Sequence, residues 1–163
     1  MRRLFLCLLL ARSKMPKRSA GIMAFRRTSG ALEVFLVHPG GPFFFRRDKG
    51  AWTIPKGECE PGEEMFATAK REFKEETGFN VDGTYLELGH IRQPGGKIVT
   101  AWAIEAEFDS SDLKSNTFMI GNREFPEVDR GAWCSVERAR QALNLGQVAL
   151  IDRLEQALGM LPL

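Results

Sequence analysis

The sequence predicts an α/β fold, an α/β/α sandwich built on a mixed central β-sheet, and three observations predict it. Runs rich in β-branched and aromatic residues at 20–25, 32–37, 85–91 and 98–108 read as strands. A long amphipathic helical pattern over 63–77 separates the first pair of strands from the second. Two shorter helical patterns, 135–143 and 146–158, close the chain. At 163 residues the chain supports one hydrophobic core, and so a single site is sought.

Arg26-Arg27-Thr28-Ser29-Gly30 joins the first two strands as a hairpin. In the loop 38–50, Pro39-Gly40-Gly41-Pro42 precedes Phe43, Phe44 and Phe45, and core filling is the expected fate of those rings. A short strand at 52–54 leads into Pro55-Lys56-Gly57, and Pro61-Gly62 punctuates the loop before the long helix. Along that helix Met65, Phe66, Ala69 and Phe73 recur at spacings of three and four, a stripe that packs on a sheet, and Gly78 stops it. Gln93-Pro94-Gly95-Gly96-Lys97 turns the third long strand back into the fourth, antiparallel to it. Residues 109–125 read as a polar connection and 131–134 as a short strand. Ser135 is an N-cap for the next helix, and Val148, Ile151, Leu154 and Leu158 share one side of the last.

With 44% hydrophobic and 27% charged residues the composition is that of a globular protein and excludes a disordered or fibrous chain. The net charge of +2 comes from the first fourteen residues, which hold Arg2, Arg3, Arg12 and Lys14 and no acid. From Met15 onward 19 basic residues face 21 acidic ones, which argues against a broad nucleic-acid surface. Cys7, Cys59 and Cys134 lack the paired spacing of a zinc site or disulfide framework, so a reducing cytoplasm is expected. The apolar run 4–11 is too short to span a bilayer. Residues 1–14 are expected to be a leader ahead of a natural start at Met15, leaving 15–163 as one domain; a mature chain beginning near Ser13 or Ser19 would indicate export instead.

The chemistry gathers at the end of the long helix. Arg71-Glu72-Phe73-Lys74-Glu75-Glu76 places three carboxylates within five positions, where negative charge opposes the helix dipole. Glu72, Glu75 and Glu76 stand at i, i+3 and i+4 and converge on one face. Taken alone, such a run reads more often as a solvated face neutralised by Arg71 and Lys74. As a ligand set, hard oxygens without Cys or His select Mg2+ or Mn2+. Gly57, in the turn before the loop, can lend a backbone carbonyl to that metal and permits close approach, while Lys56 can offer its ammonium to a phosphate oxygen.

The longer pattern decides between the two. Gly57, Glu63, Arg71-Glu72-Phe73, Glu75-Glu76 and Gly78-Phe79 resemble the Nudix box at every defined position, nine identities or classes over residues 57–79. The chain is thereby similar to the Nudix hydrolases, the MutT-like pyrophosphohydrolases, over roughly residues 19–158. The resemblance implies a Nudix-type α/β/α sandwich in which Glu72, Glu75, Glu76 and the Gly57 carbonyl hold Mg2+ or Mn2+. It also implies that Glu63 and Arg71 form a brace that orients the carboxylates. The reaction implied is hydrolysis of a diphosphate linkage, in a nucleoside diphosphate joined to another group, by a metal-activated water. In this family the base is a box glutamate or a glutamate from a later loop; Glu127 is the later-loop candidate and Glu124 a weaker rival.

The expected partner is a small nucleotide-like substrate, with no membrane, with nucleic acid only as a capped or triphosphorylated RNA end, and with the chain as a monomer or homodimer. Lys56, His38, Phe45 and Arg46 are the candidate substrate residues, with the 116–118 segment near them. The substrate itself stays open. Pro94 stands where many ADP-ribose-cleaving relatives carry a proline. The run from Trp52 to Glu58 resembles dinucleoside polyphosphate and nucleoside triphosphate hydrolases, yet the sole tyrosine, Tyr85, is too early for the former's marker. Competing readings are a non-catalytic module that binds a nucleotide metabolite, an RNA 5′-end pyrophosphohydrolase, and a prenyl diphosphate isomerase, whose cysteine and glutamate machinery is not located.

Overall fold

The computed structural model describes residues 15–160, so the expected leader lies outside the described residues. Strand β1 (Arg18–Thr28) is the hub of the sheet, and its side chains are buried almost continuously on both faces. Ser29-Gly30 turns it into β2 (Ala31–Pro39), two residues rather than the five anticipated, because the strand runs on through Arg26–Thr28. Strands β4 (Tyr85–Arg92) and β5 (Ile98–Glu105) form the second hairpin, and β8 is Val128–Ser135. The order is β4-β5-β1-β2-β8, with β3 (Lys56–Glu58) also on β1. Among the strands of the described residues only β1 and β5 pair parallel, which makes the sheet mixed, as expected.

One edge of β1 is shared, and this places the functional loop. Its C-terminal half pairs with β2 at residues 25–28, while its N-terminal half pairs with β3 at residues 19–21. Between the two, β2 splays from β1, and the 53–55 segment enters the gap: Ile22 N–H donates to Pro55 O at 3.1 Å and Val37 N–H to Thr53 O at 2.9 Å. The expected strand at 52–54 is therefore only a pair of isolated bridges, and the true strand lies four residues later, where β1 offers a free edge.

Alternation along the strands assigns the two faces. Ala20, Ile22, Ala24, Phe35 and Val37 face helix α1 (Met65–Thr77), which buries Ala69 and Phe73 against them. Met23, Phe25, Val34 and Leu36 face the opposite layer. There α2 (Val136–Ala142), capped by Ser135 Oγ accepting from Arg138 N–H, and α3 (Ala149–Ala157) bury Ala139, Leu150, Ile151 and Leu154. The helix expected over 146–158 begins with a separate 3-10 turn at Leu145–Gln147, whose start is capped by Asn144. No helix among the described residues is long and apolar enough to cross a membrane.

Two expectations are corrected here. The polar connection at 109–125 contains a hairpin, β6 (Thr117–Ile120) and β7 (Arg123–Pro126), turned at Gly121-Asn122. Phe43 and Phe45 are not core residues: they are 74% and 73% exposed. Their loop leaves the sheet after β2, and neither ring belongs to the core clusters on its two faces.

Candidate active site

The turn 55–57 reaches the carboxylate helix because two small residues let it. Gly21 on β1 has no side chain to push it away: a Cβ there would lie 2.6 Å from both Pro55 O and Lys56 Cβ. Gly57 in turn lies against Glu72, whose carboxyl group occupies the place a Cβ on Gly57 would fill. From below, buried Gln147 fixes the approach, its Oε1 accepting from Ile54 N–H at 2.9 Å and its Nε2 donating to Thr53 Oγ1 at 2.8 Å. Gln147→Leu leaves the Ile54 N–H buried without a partner and should destabilise the protein by about 1–3 kcal/mol. Chemical denaturation measures this directly, and an unchanged midpoint would remove Gln147 from the account.

The helix end presents its acids in two groups. Arg71 grips Glu63 bidentately, Nε to Oε1 at 2.8 Å and Nη2 to Oε2 at 3.0 Å, so the loop and helix are tied at the expected pair. The same guanidinium donates through Nη1 to Glu72 Oε1 at 2.8 Å and Glu75 Oε2 at 3.1 Å. Glu76 instead turns toward β3, where its Oε2 accepts from Lys56 N–H at 3.1 Å. Like charges on one helix face favour this separation, and Arg71 and the Lys56 N–H each take part of the set. Among the described residues no three Asp, Glu, His or Cys side chains are already drawn into a metal cage.

The electrostatics follow from burial and from these partners. Arg71, with help from the Glu60 N–H, holds the Glu63 carboxyl low, at about 2. Burial pushes Glu72 up, and the Arg71 bond opposes it. Burial pushes Glu76 up more strongly, to about 8, with repulsion from Glu72 and Glu127 adding to it and Lys56 opposing. Burial lowers Lys56, against the pull of Glu76, Glu72 and Glu58. Such raised carboxyls are what a bound divalent cation reverses, because positive charge between them favours ionisation. The oxygen donor set and the glycine cradle therefore fit Mg2+ or Mn2+, with Glu72, Glu75, Glu76 and the Gly57 carbonyl as the residues that would hold it.

Glu127 faces this group from the loop between β7 and β8. Burial raises its carboxyl, repulsion from Glu75 adds to this, and a bond from Asn116 opposes it. Asn116 was not anticipated as the residue that couples the two. Its backbone N–H donates to Glu75 O at 2.9 Å, its carbonyl accepts from Glu127 N–H at 2.9 Å, and its amide nitrogen, facing these acceptors, reaches Glu127 Oε2 at 2.9 Å. Glu124, the weaker rival, bonds Thr117 Oγ1 within the β6–β7 hairpin.

The substrate candidates divide. Phe45 is exposed on the rim and Arg46 is exposed beside it. His38 is corrected: it is fully buried, with Nδ1 2.7 Å from Asp129 Oδ1 and Nε2 2.5 Å from Arg47 O, so it holds structure together rather than meeting a ligand. Lys56 is half-buried, and burial lowers its ammonium against the opposing charge of Glu76. Gly21, Asn116 and Gln147 carried no local pattern, and only the contacts between distant segments reveal them.

A mixed sheet with one helix on one face, two on the other, and a braced acidic helix end against a glycine turn defines an α/β domain of the Nudix class. The chain belongs to the NUDIX domain family, whose model matches residues 15–154. It is similar to the mouse bis(5′-nucleosyl)-tetraphosphatase [asymmetrical], 30% identical over 105 residues, 57% of this chain and 67% of that protein. It is also similar to Nudix hydrolase 5 of Arabidopsis thaliana, 28% identical over 106 residues that make up 64% of this chain. The chain spans only 32% of the length of that relative. Among solved structures, the Ap4A hydrolase of C. elegans in a binary complex superposes with a TM-score of 0.65 at 22% identity, over 89% of this chain and 99% of that one, and so shares the fold.

Proposed function

We propose that the protein is a Mg2+- or Mn2+-dependent pyrophosphohydrolase that splits the diphosphate linkage of a nucleoside diphosphate joined to another group. The observation that carries the reading is the packing of Glu72 onto Gly57, with Glu76 bonded to the N–H of the adjoining Lys56. When bound there, a divalent cation lowers the pKa of its water and neutralises charge on phosphate oxygens. The chain's own residues do the rest. Glu72, Glu75 and Glu76 would hold the cation, and Arg71 and Glu63 fix the helix against the loop. Glu127, with its carboxyl raised, is suited to accept the proton of the attacking water, and Asn116 orients it. Similarity to the mouse bis(5′-nucleosyl)-tetraphosphatase supports a nucleotide with more than one phosphate as substrate.

The test is a panel of nucleoside triphosphates, dinucleoside polyphosphates, ADP-ribose, nucleotide sugars and capped or triphosphorylated RNA, assayed with Mg2+ and with chelator. Magnesium-dependent release of phosphate or nucleotide from at least one is expected. Binding without turnover across the panel would favour a sensor module instead. Within that assay, Glu127→Gln is expected to lower kcat about 100-fold or more while KM changes little, as for loss of a positioned base. Asn116→Ala should lose less, about tenfold, and move the acidic limb of the kcat profile to higher pH, because the Glu127 carboxylate loses the donor that lowers its pKa. A Glu127→Gln enzyme with unaltered kcat would move the base to another glutamate.

A further inference from the structure

Strands β2 and β8 lose register beside Glu127. His38 pairs with Arg130 and Pro39 with Val128, so Asp129 is an extra residue on β8 without a partner across the ladder, a β-bulge. Pro39 has no N–H with which to continue the ladder, and the bulge stands where that donor is missing. A bulge bends its strand and re-aims the side chains beside it, and Glu127 lies two residues before this one.

The extra residue is held by a buried imidazole. His38 Nδ1 is 2.7 Å from Asp129 Oδ1, and Nε2 is 2.5 Å from the Arg47 carbonyl. A carbonyl and a carboxylate only accept, whereas a neutral imidazole carries a single N–H. Both bonds together therefore need two protons on the pair, as an imidazolium beside a carboxylate or as an imidazole beside a carboxylic acid. The charges around the pair offset one another. Asp48 accepts from Trp52 Nε1 at 2.7 Å, and the Trp52 ring stands edge-on to the imidazole at 5.4 Å. The Arg130 guanidinium lies 3.7 Å from Asp129 and 4.0 Å from Asp48, and Arg138 of α2 attracts Asp48 from the other side. The Arg47 side chain turns instead to Phe44, 5.7 Å over its ring.

Resting on the proposed role of Glu127 as base, we infer that His38 and Asp129 form a proton-dependent latch: with two protons the pair closes the 40–47 loop onto the bulge and positions Glu127, and with one it opens. Movement has a direct route to Glu127. Gly40 N–H donates to Glu127 O at 2.8 Å, and a Cβ on Gly40 would overlap Pro126 O, so loop and strand touch backbone to backbone. Arg47 O fastens the far end of the same loop. When the second proton leaves, an imidazole lone pair faces an acceptor and one of the two bonds is lost. The sign follows: the latch is closed at lower pH and opens as pH rises. His38 and Asp129 act through Glu127, so they are positioning residues.

Asp129→Asn separates the latch from its second proton. The asparagine amide can donate to Nδ1 while Nε2–H donates to Arg47 O, so both bonds form on a neutral imidazole. Hydrogen exchange of the Gly40 amide, corrected for intrinsic base catalysis and followed from about pH 5 to 9, reads closure without any substrate. Wild type should lose about tenfold in protection as pH rises, the scale of one buried bond. Asp129→Asn should keep its protection across the range, and Asp129→Ala should lack it throughout. The Asp129 side chain is at the surface, so a thermal midpoint well above the assay temperature verifies that each variant is folded.

On the substrate found by the panel, wild-type kcat should fall about tenfold over the pH range of opening with KM little changed, and Asp129→Asn should lack that fall. Equal exchange in the three proteins, or the same pH dependence in wild type and Asp129→Asn, overturns the latch. Exchange as expected with kcat the same in Asp129→Ala as in wild type overturns the positioning of Glu127. No turnover by wild type across the panel overturns the proposed function and the positioning role with it, while exchange still decides the latch.

Discussion

Glu76→Gln is expected to lower kcat on the best diphosphate substrate about 1,000-fold, equivalent to about 4 kcal/mol of transition-state stabilisation. The substitution keeps an oxygen that can accept from the Lys56 N–H, so the local geometry has no reason to collapse. Stability should move the other way. Burial and repulsion raise the folded-state carboxyl from 4.5 to about 8, so the fold prefers it protonated. That contribution is complete below about 4.5 and is lost as pH rises through about 8. Metal-free wild type should therefore lose thermal stability over this window, and Glu76→Gln should lose less. Magnesium should reverse the trend, stabilising wild type most at the alkaline end because cation and proton compete for the same oxygens. Differential scanning fluorimetry across pH, with and without Mg2+, reads all of this. A Glu76→Gln protein with full activity, or with lower alkaline stability than metal-free wild type, would contradict the assignment.

Gly57→Ala is the second large effect, and it works through space rather than through charge. The added methyl would overlap the Glu72 carboxyl, which must swing away and give up its 2.8 Å bond to Arg71. Metal affinity and kcat/KM should each fall about 10–100-fold, the cost of misplacing a metal ligand by its support. The fold should survive, because Gly57 does not need left-handed backbone. Gly62 in the same loop is the contrast: it has φ +78° and open space around it, so Gly62→Ala strains the backbone and should cost about 1 kcal/mol of stability with the carboxylates undisturbed. Kinetics and denaturation on the pair separate the two roles, and the account fails if Gly57→Ala binds metal like wild type.

The parts of the site that follow from local pattern were legible in the sequence. The α1 stripe of Ala69 and Phe73, its stop at Gly78 and the spacing of Glu63, Arg71, Glu72, Glu75 and Glu76 are properties of one helix and one loop, and periodicity carries them. The main strands were legible for the same reason. What was not legible depends on partners distant in sequence. The strand by the functional loop lies at Lys56–Glu58 rather than 52–54 because β1 has its open edge there. Phe43 and Phe45 had the composition of core and are exposed because their loop lies outside both core clusters. His38 is buried because Asp129, ninety-one residues away, accepts from it. The β6–β7 hairpin is a different kind of miss: Gly121-Asn122 between two short apolar-containing runs is a hairpin signal, and the polarity of the surrounding stretch masked it.

The split of the carboxylates between Arg71 and Lys56 also has a functional consequence. Arg71 offsets charge on Glu72 and Glu75, and the Lys56 N–H gives Glu76 a donor, so the fold tolerates the acidic helix end. A buried acid that is costly alone and favourable with a cation is a site whose stability and occupancy are coupled.

Counting bound Mn2+ by electron paramagnetic resonance, on wild type and on the Glu72→Gln/Glu76→Gln double variant, tests the central claim most directly. Wild type should take up Mn2+ and the folded double variant should bind it at least about tenfold more weakly, with hydrolysis following occupancy. Equal Mn2+ affinity in the two proteins would contradict the claim that this helix end is a metal site.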